Sequence, residues 1–262
     1  KTIGFLGAGN LAEALIKGLL ASRGVGANQI IASDRASSRL VHLAETYEIK
    51  VYNKNHEVIR NADIIFLTVK PQDARDALVE IAPDLIGAKL LISAVAGLTT
   101  TAILEILKHG GVNAFIPVVR AMPNTPAIVR EGMTGLAAGM GAGKNDLKLA
   151  RAVFESVGKV VVVDDEHLLD AVTGLSGSGP AYVFYFMEAL VEAGRELGLT
   201  EADSKLLAMQ TTLGASLLAM ESDKDLPELS RMVTSPGGTT MRGIAKLEEA
   251  GFKDAVVKAV KA

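Results

Sequence analysis

Cysteine is absent from the 262-residue sequence. Disulfides, thiolate nucleophiles and zinc–sulfur centres are therefore excluded, and a reducing compartment, the cytoplasm, is the expected location. No apolar run approaches the roughly 18–20 residues that cross a bilayer, so no membrane span is expected. Positive charge is not in excess: 27 Lys and Arg stand against 30 Asp and Glu, a formal net charge of −3. That leaves nucleic acid no electrostatic footprint. The four histidines fall at spacings that suggest no metal site. Internal repeats and low-complexity linkers are missing too. The chain opens on a strand-like run, and a signal peptide is not expected. What it does have is apolar residue, 49 % of the total with a mean hydropathy of +0.30. Without a membrane span that surplus needs another home, and a subunit interface is the natural one. The length suits one or two domains.

The first part alternates short apolar runs with helical periodicity. Strands are expected at Thr2–Leu6, Gln29–Ser33, Asp63–Val69, Lys89–Val95 and Val118–Met122. Helices are expected between them at Leu11–Ala21, Ser37–Tyr47, Gln72–Ala82 and Thr100–His109. Such β-α-β-α order predicts a parallel sheet covered on both faces. Thr134–Ala138 and Lys159–Val163 are expected as added edge strands around a helix at Asp146–Ser156. After about residue 164 alternation stops and long helices follow: Pro180–Leu197, Ser204–Met220 and Ser230–Glu249, the last after a loop through Pro227. The expected architecture is a Rossmann-type doubly wound domain over 1–163 and an all-helical domain over 164–262. Pro180–Leu197 is apolar on more than one face, as in a helix buried within its own chain or against another.

Gly7-Ala8-Gly9-Asn10-Leu11-Ala12 reads G-x-G-x-x-A between the first strand and the first helix. The first glycine, Gly7, permits a tight turn. The second, Gly9, lets a pyrophosphate approach the backbone, and the small third residue allows helix and strand to pack closely. The unpaired N–H groups of the helix start suit phosphate. The end of the second strand should read the adenosine ribose. An acid there favours NAD and an arginine favours NADP. Asp34 and Arg35 stand side by side, so the preference is open.

Further segments punctuate the chain. Thr68-Val69-Lys70-Pro71 ends a strand at the edge where such sheets bind ligands. Ser93–Gly97 ends the next with small residues, and Arg120-Ala121-Met122-Pro123-Asn124-Thr125-Pro126 is a proline-stiffened loop. In the helical half, Thr173–Tyr182 and Ser235-Pro236-Gly237-Gly238-Thr239-Thr240 place glycines and hydroxyls just before helices. Such turns either cap the helix or present N–H groups to a carboxylate.

Taken together, four ordered segments, Val69–Pro71, Met122–Pro126, Thr173–Tyr182 and Ser235–Thr240, resemble the Δ1-pyrroline-5-carboxylate reductases, along essentially the whole length. The resemblance implies an NAD(P)H-dependent reduction of a cyclic imine, 1-pyrroline-5-carboxylate, to L-proline. The implied cofactor is NADP(H), with NAD(H) as the alternative. It implies that Ala8, Asn10 and Leu11 contact the pyrophosphate and that Asn55 reaches the ribose. Val69, Lys70 and Pro71 would line the cofactor groove, with Ala96 and Asn124 near the nicotinamide. Ser235, Gly238, Thr239 and Thr240 would bind the substrate, with Glu166 and Thr173 nearby. Thr240 and Thr173 are the implied catalytic hydroxyls. The resemblance also implies a helical dimerisation domain, a substrate site formed between protomers, and a homodimer that in many members builds a decamer. Met232 departs from it, where Asn or Asp is expected. His167, beside Glu166, is the only histidine near these residues. A β-hydroxyacid dehydrogenase of the same plan would need a base, usually a lysine on the helix at Pro180–Leu197, which has none. A non-enzymatic nicotinamide-binding protein is the other alternative.

Overall fold

A computed structural model describes residues 1–86 and 89–262. Short runs rich in Ile, Leu and Val form the strands β1 (Ile3–Leu6), β2 (Ile30–Ser33), β3 (Lys50–Tyr52), β4 (Ile64–Leu67), β5 (Leu90–Ser93), β6 (Val118–Pro123), β7 (Gly132–Ala138) and β8 (Gly158–Val163). β1, β2, β4 and β5 are buried at every position, as parallel strands covered on both faces must be. Neighbours along a strand point to opposite faces. Thus Phe5 and Phe66 pack on one side with Leu15, Ile16 and Phe154, while Leu6 and Leu67 pack on the other with Leu78 and Ile103. The rings of Phe5 and Phe66 stack at 5.1 Å between centroids.

The helices of this half are α1 (Asn10–Ala21), α2 (Ser37–Tyr47), α3 (Asn55–Asn61), α4 (Pro71–Ile81), α5 (Thr100–His109), α6 (Lys144–Phe154) and α7 (Leu168–Val172). The strand order is β3-β2-β1-β4-β5-β6-β7-β8, parallel except where β7 runs antiparallel to β6. The order reverses between β1 and β4, and ligands bind such sheets at that switch point, beyond the strands' carboxyl ends. The short β3 and α3 were not anticipated, since three and seven residues carry too little periodicity. β8 is an edge strand, whereas β7 lies inside the sheet.

The first compact unit runs from Lys1 to Gly177. Residues 166–177 pack on the sheet. Leu169 is fully buried, Glu166 binds Arg120 and Thr100, and Val172 lies against Gly135. Thr173–Gly177 forms a π-helical turn.

The second unit, residues 178–262, is all-helical. It contains α8 (Gly179–Glu196), α9 (Glu201–Glu221), α10 (Leu226–Met232), α11 (Thr239–Glu249) and α12 (Phe252–Lys261). The helix expected over Ser230–Glu249 is broken at residues 233–238, and Pro227 lies inside α10 rather than in a loop. Proline is tolerated in a first helical turn. Asp225 caps α10 by accepting from the Glu228 N–H at 2.7 Å. α8 and α9 meet where Gly194 faces Ser204, and Phe186 approaches Phe252 at 6.1 Å. Among the described residues, α8, α10, α11 and α12 bury nothing.

Candidate active site

The glycine turn sits where the strand order reverses. Gly7 has φ +96°, and a Cβ there would come within 2.9 Å of the Thr68 and Val69 backbone. A side chain would be strained and would push β1 away from β4. Thr68 closes the junction by donating its hydroxyl to the Gly7 carbonyl at 2.8 Å. Gly9, by contrast, has open space where a Cβ would lie. It is the N-cap of α1, and no side chain caps that helix. The N–H groups at the start of α1 and the helix dipole are thus available to an anion.

A cleft of about 280 Å³ runs from this turn along the ends of β2 and β4. It is lined by Gly7, Gly9, Asp34, Arg35, Asn55, Thr68, Val69, Lys70, Gln72 and Asp73. The residues present fit a dinucleotide's pyrophosphate and adenosine ribose: open backbone above Gly9, cations at Arg35 and Lys70, and an amide at Asn55. Asn55 is held from two sides. It accepts from the Ser33 hydroxyl at 2.8 Å and donates to Glu80 at 2.8 Å. Arg35 is exposed and pairs with Asp73 at 3.4 Å. Pro71 opens α4 at its first turn, the position where a missing N–H costs nothing. Ala8 and Leu11 do not line the cleft: Ala8 is fully buried, and Leu11 packs against the core.

Behind the turn lies a charged cluster without a sequence signal. Glu13 on α1 accepts from three α2 side chains: Arg39 at 2.6 Å, His42 at 2.7 Å and Tyr47 at 3.0 Å. Burial pushes the Glu13 carboxyl upward, but these hydrogen bonds outweigh it and hold its pKa down at about 2. Burial, reinforced by Glu13, raises the Tyr47 hydroxyl.

Farther along the sheet, Asn124 acts as a strut. It accepts from the Met133 N–H at 2.8 Å and donates to the Ser176 carbonyl at 3.1 Å. Ala96 is exposed in the turn after β5. Thr173 donates its hydroxyl proton to the Leu169 carbonyl at 2.7 Å, which leaves its oxygen free only to accept. Glu166 accepts from the Thr100 N–H at 2.8 Å and lies 3.3 Å from the buried Arg120. The sequence alone did not pair Arg120 with Glu166; a charged residue inside an otherwise apolar strand is the signal that could have found the pair, and nothing in the sequence pointed to Thr100.

In the second unit, residues 235–238 form a turn closed by the Gly238 N–H donating to the Ser235 carbonyl at 3.0 Å. Gly237 has φ +72°, and a Cβ on Gly238 would strike the Ser235 hydroxyl. Gly238 is the N-cap of α11, again without a capping side chain. Thr239 and Thr240 begin that helix, both exposed. A helix capped by its own Ser or Thr, the other expectation for this segment, is not what forms. Among the described residues no three His, Asp or Glu are grouped to hold a metal, and no helix is long and apolar enough to cross a membrane.

A doubly wound sheet with a glycine turn at its switch point, joined to a helical unit, defines a dinucleotide-dependent oxidoreductase of the two-domain type. Residues 2–97 match the family model described as NADP oxidoreductase coenzyme F420-dependent, and residues 166–262 match that described as pyrroline-5-carboxylate reductase dimerisation. The chain is 38 % identical over 261 residues to pyrroline-5-carboxylate reductase 2 of Bacillus subtilis, covering 99 % of this chain and 91 % of that protein. A solved pyrroline-5-carboxylate reductase from Coxiella burnetii matches with a TM-score of 0.92 at 37 % identity, over 99 % of this chain and 94 % of that one. A Plasmodium falciparum pyrroline carboxylate reductase solved with NADP bound matches with a TM-score of 0.86 at 32 % identity, over 99 % and 94 %. The chain belongs to the pyrroline-5-carboxylate reductase family.

Proposed function

We propose that this chain reduces 1-pyrroline-5-carboxylate to L-proline, the last step of proline biosynthesis, with NADPH as donor and NADH as the lesser alternative. The observation that carries the substrate is the turn at Ser235–Thr240, whose glycines leave the N-terminus of α11 uncapped beside two hydroxyls. A carboxylate fits those amides, with Ser235, Gly238 and Thr239 around it. The Thr240 hydroxyl oxygen accepts from the N–H of the iminium. In the first unit, Glu166 is a carboxylate fixed by Thr100 and Arg120. When bound, the reduced cofactor supplies a hydride. It adds to the imine carbon, the C=N pair moves to nitrogen, and nitrogen carries the proton of the iminium into proline. A threonine hydroxyl is too weak an acid to supply that proton at neutral pH, so its work is orientation, which supplies much of the rate. Asn10 and Gly9 face the pyrophosphate, Asn55 the ribose, and Ala96 and Asn124 the nicotinamide end.

Exposed apolar residues on α8, α9 and α10 (Phe184, Tyr185, Leu206, Leu213 and Leu226) support a homodimer as the smallest assembly, with a decamer of five dimers as the larger form. A cytoplasmic site suits a cysteine-free chain that uses reduced nicotinamide. The test is steady-state oxidation of NADPH and of NADH with 1-pyrroline-5-carboxylate. Turnover is expected, and Thr240→Val should lower kcat/KM for the imine by about 10–100-fold with cofactor affinity unchanged. Absence of turnover with either cofactor refutes the reading; wild-type rates in Thr240→Val remove that residue from the mechanism.

A further inference from the structure

Ala8, at the centre of the glycine turn, has no exposed surface. Its peptide groups must find partners inside the protein or lose their hydrogen bonds. Both partners are charged side chains from the segment that follows β2. Asp34 accepts the Ala8 N–H at 2.7 Å, and the Arg39 Nε donates to the Ala8 carbonyl at 2.9 Å. Arg39 is in turn held by Glu13 at 2.6 Å. The second Asp34 oxygen accepts the Ala36 N–H at 2.8 Å.

We propose that Asp34 and Arg39 are positioning residues that clamp the Ala8 peptide from its two sides, and that neither reads the adenosine ribose. The inference rests on the reading of the cleft as the NADPH site. In a trans peptide the carbonyl and the following N–H point in opposite directions. Pinning the Ala8 carbonyl to Arg39 therefore aims the Gly9 N–H away from α2, beside the open space over Gly9. The clamp fixes the turn before any cofactor arrives, so binding does not have to order it. It also settles what an acid at the end of β2 does here. Such an acid favours NAD when its oxygens are free for the ribose hydroxyls. Each Asp34 oxygen already accepts one backbone N–H and is held toward the turn by it, so Asp34 is assigned to the turn and cofactor discrimination to the rest of the cleft.

The test is fluorescence titration of NADPH and of NADH against wild type, Asp34→Ala and Arg39→Met. Thermal unfolding of the cofactor-free protein is measured beside it. Each substitution should weaken both cofactors by a common factor of about ten, the loss of one charge-assisted hydrogen bond. The NADPH-to-NADH ratio should hold within about twofold, and KM for the imine should not change. Asp34→Asn, which keeps one acceptor for Ala8, should recover part of the loss and guards against misfolding of the alanine variant. The cofactor-free Tm should fall in Asp34→Ala and Arg39→Met. A loss confined to NADH in Asp34→Ala, or to NADPH in Arg39→Met, would show a ribose or phosphate reader and overturn the proposal. So would unchanged affinities. Wild-type protein that binds neither cofactor would instead refute the reading of the cleft itself.

Discussion

Arg120 and Glu166 offer a quantitative test of how residues 166–177 are tied to the sheet. The Arg120 side chain is only 5 % exposed, and its guanidinium lies 3.3 Å from Glu166 and 3.8 Å from Asp170. Asp170 is 76 % exposed, so its contribution is screened and small. Glu166→Gln therefore leaves a buried cation nearly uncompensated, at a cost of about 3–4 kcal/mol. Arg120→Met is milder. Glu166 keeps the Thr100 N–H and hydroxyl as donors and is 19 % exposed, so about 2–3 kcal/mol is expected. The double variant holds no buried charge and still offers Thr100 an acceptor. It should lose no more than Arg120→Met alone, giving a coupling energy of about 3 kcal/mol. At roughly 2–4 °C per kcal/mol for a chain of this size, Glu166→Gln should lower Tm by about 6–16 °C. The assay is calorimetric unfolding at one fixed protein concentration, because assembly makes Tm depend on concentration. Single losses that simply add in the double variant, or that stay below about 1 kcal/mol, would refute the pairing as the anchor of this segment.

The Glu13 cluster should give an acid-dependent stability. The Glu13 pKa is lowered from its ordinary 4.5 to about 2, so its contribution is complete above pH 4.5 and is lost as pH falls toward 2. Since the side chain is 23 % exposed, about 1–2 kcal/mol should disappear over that window, and Glu13→Gln should flatten this part of a Tm-against-pH curve; an unchanged slope counts against the cluster. On the helical unit, Leu213, which is 53 % exposed, should be covered in the homodimer. Leu213→Glu should convert the dimer to monomers in sedimentation, and an unaltered mass would place the interface elsewhere.

Much was legible from local pattern. The glycine turn, five of the parallel strands and the main helices follow from apolar runs and their punctuation, because a strand buried on both faces is mostly apolar. Gly237 and Gly238 likewise announced a turn before α11. Pro227 misled because a proline in a first helical turn looks like a loop marker in sequence. β3 and α3 were too short to show a period. Some of the ordered segments acquired meaning only when combined, since each alone reads equally well as helix capping.

What the sequence by itself determined was the element order, the nucleotide-binding turn and the family, all carried by residues close together in the chain. Tertiary structure alone decided how charged side chains are used. Asp34 and Arg35 adjoin and both line the cleft, yet Asp34 accepts the Ala8 N–H while Arg35 pairs with Asp73. Arg39 reaches Ala8 across 31 positions, and Glu166 reaches Thr100 across 66. Hydrogen bonds are directional and short, and at such separations only the packing of the elements determines which donor meets which acceptor.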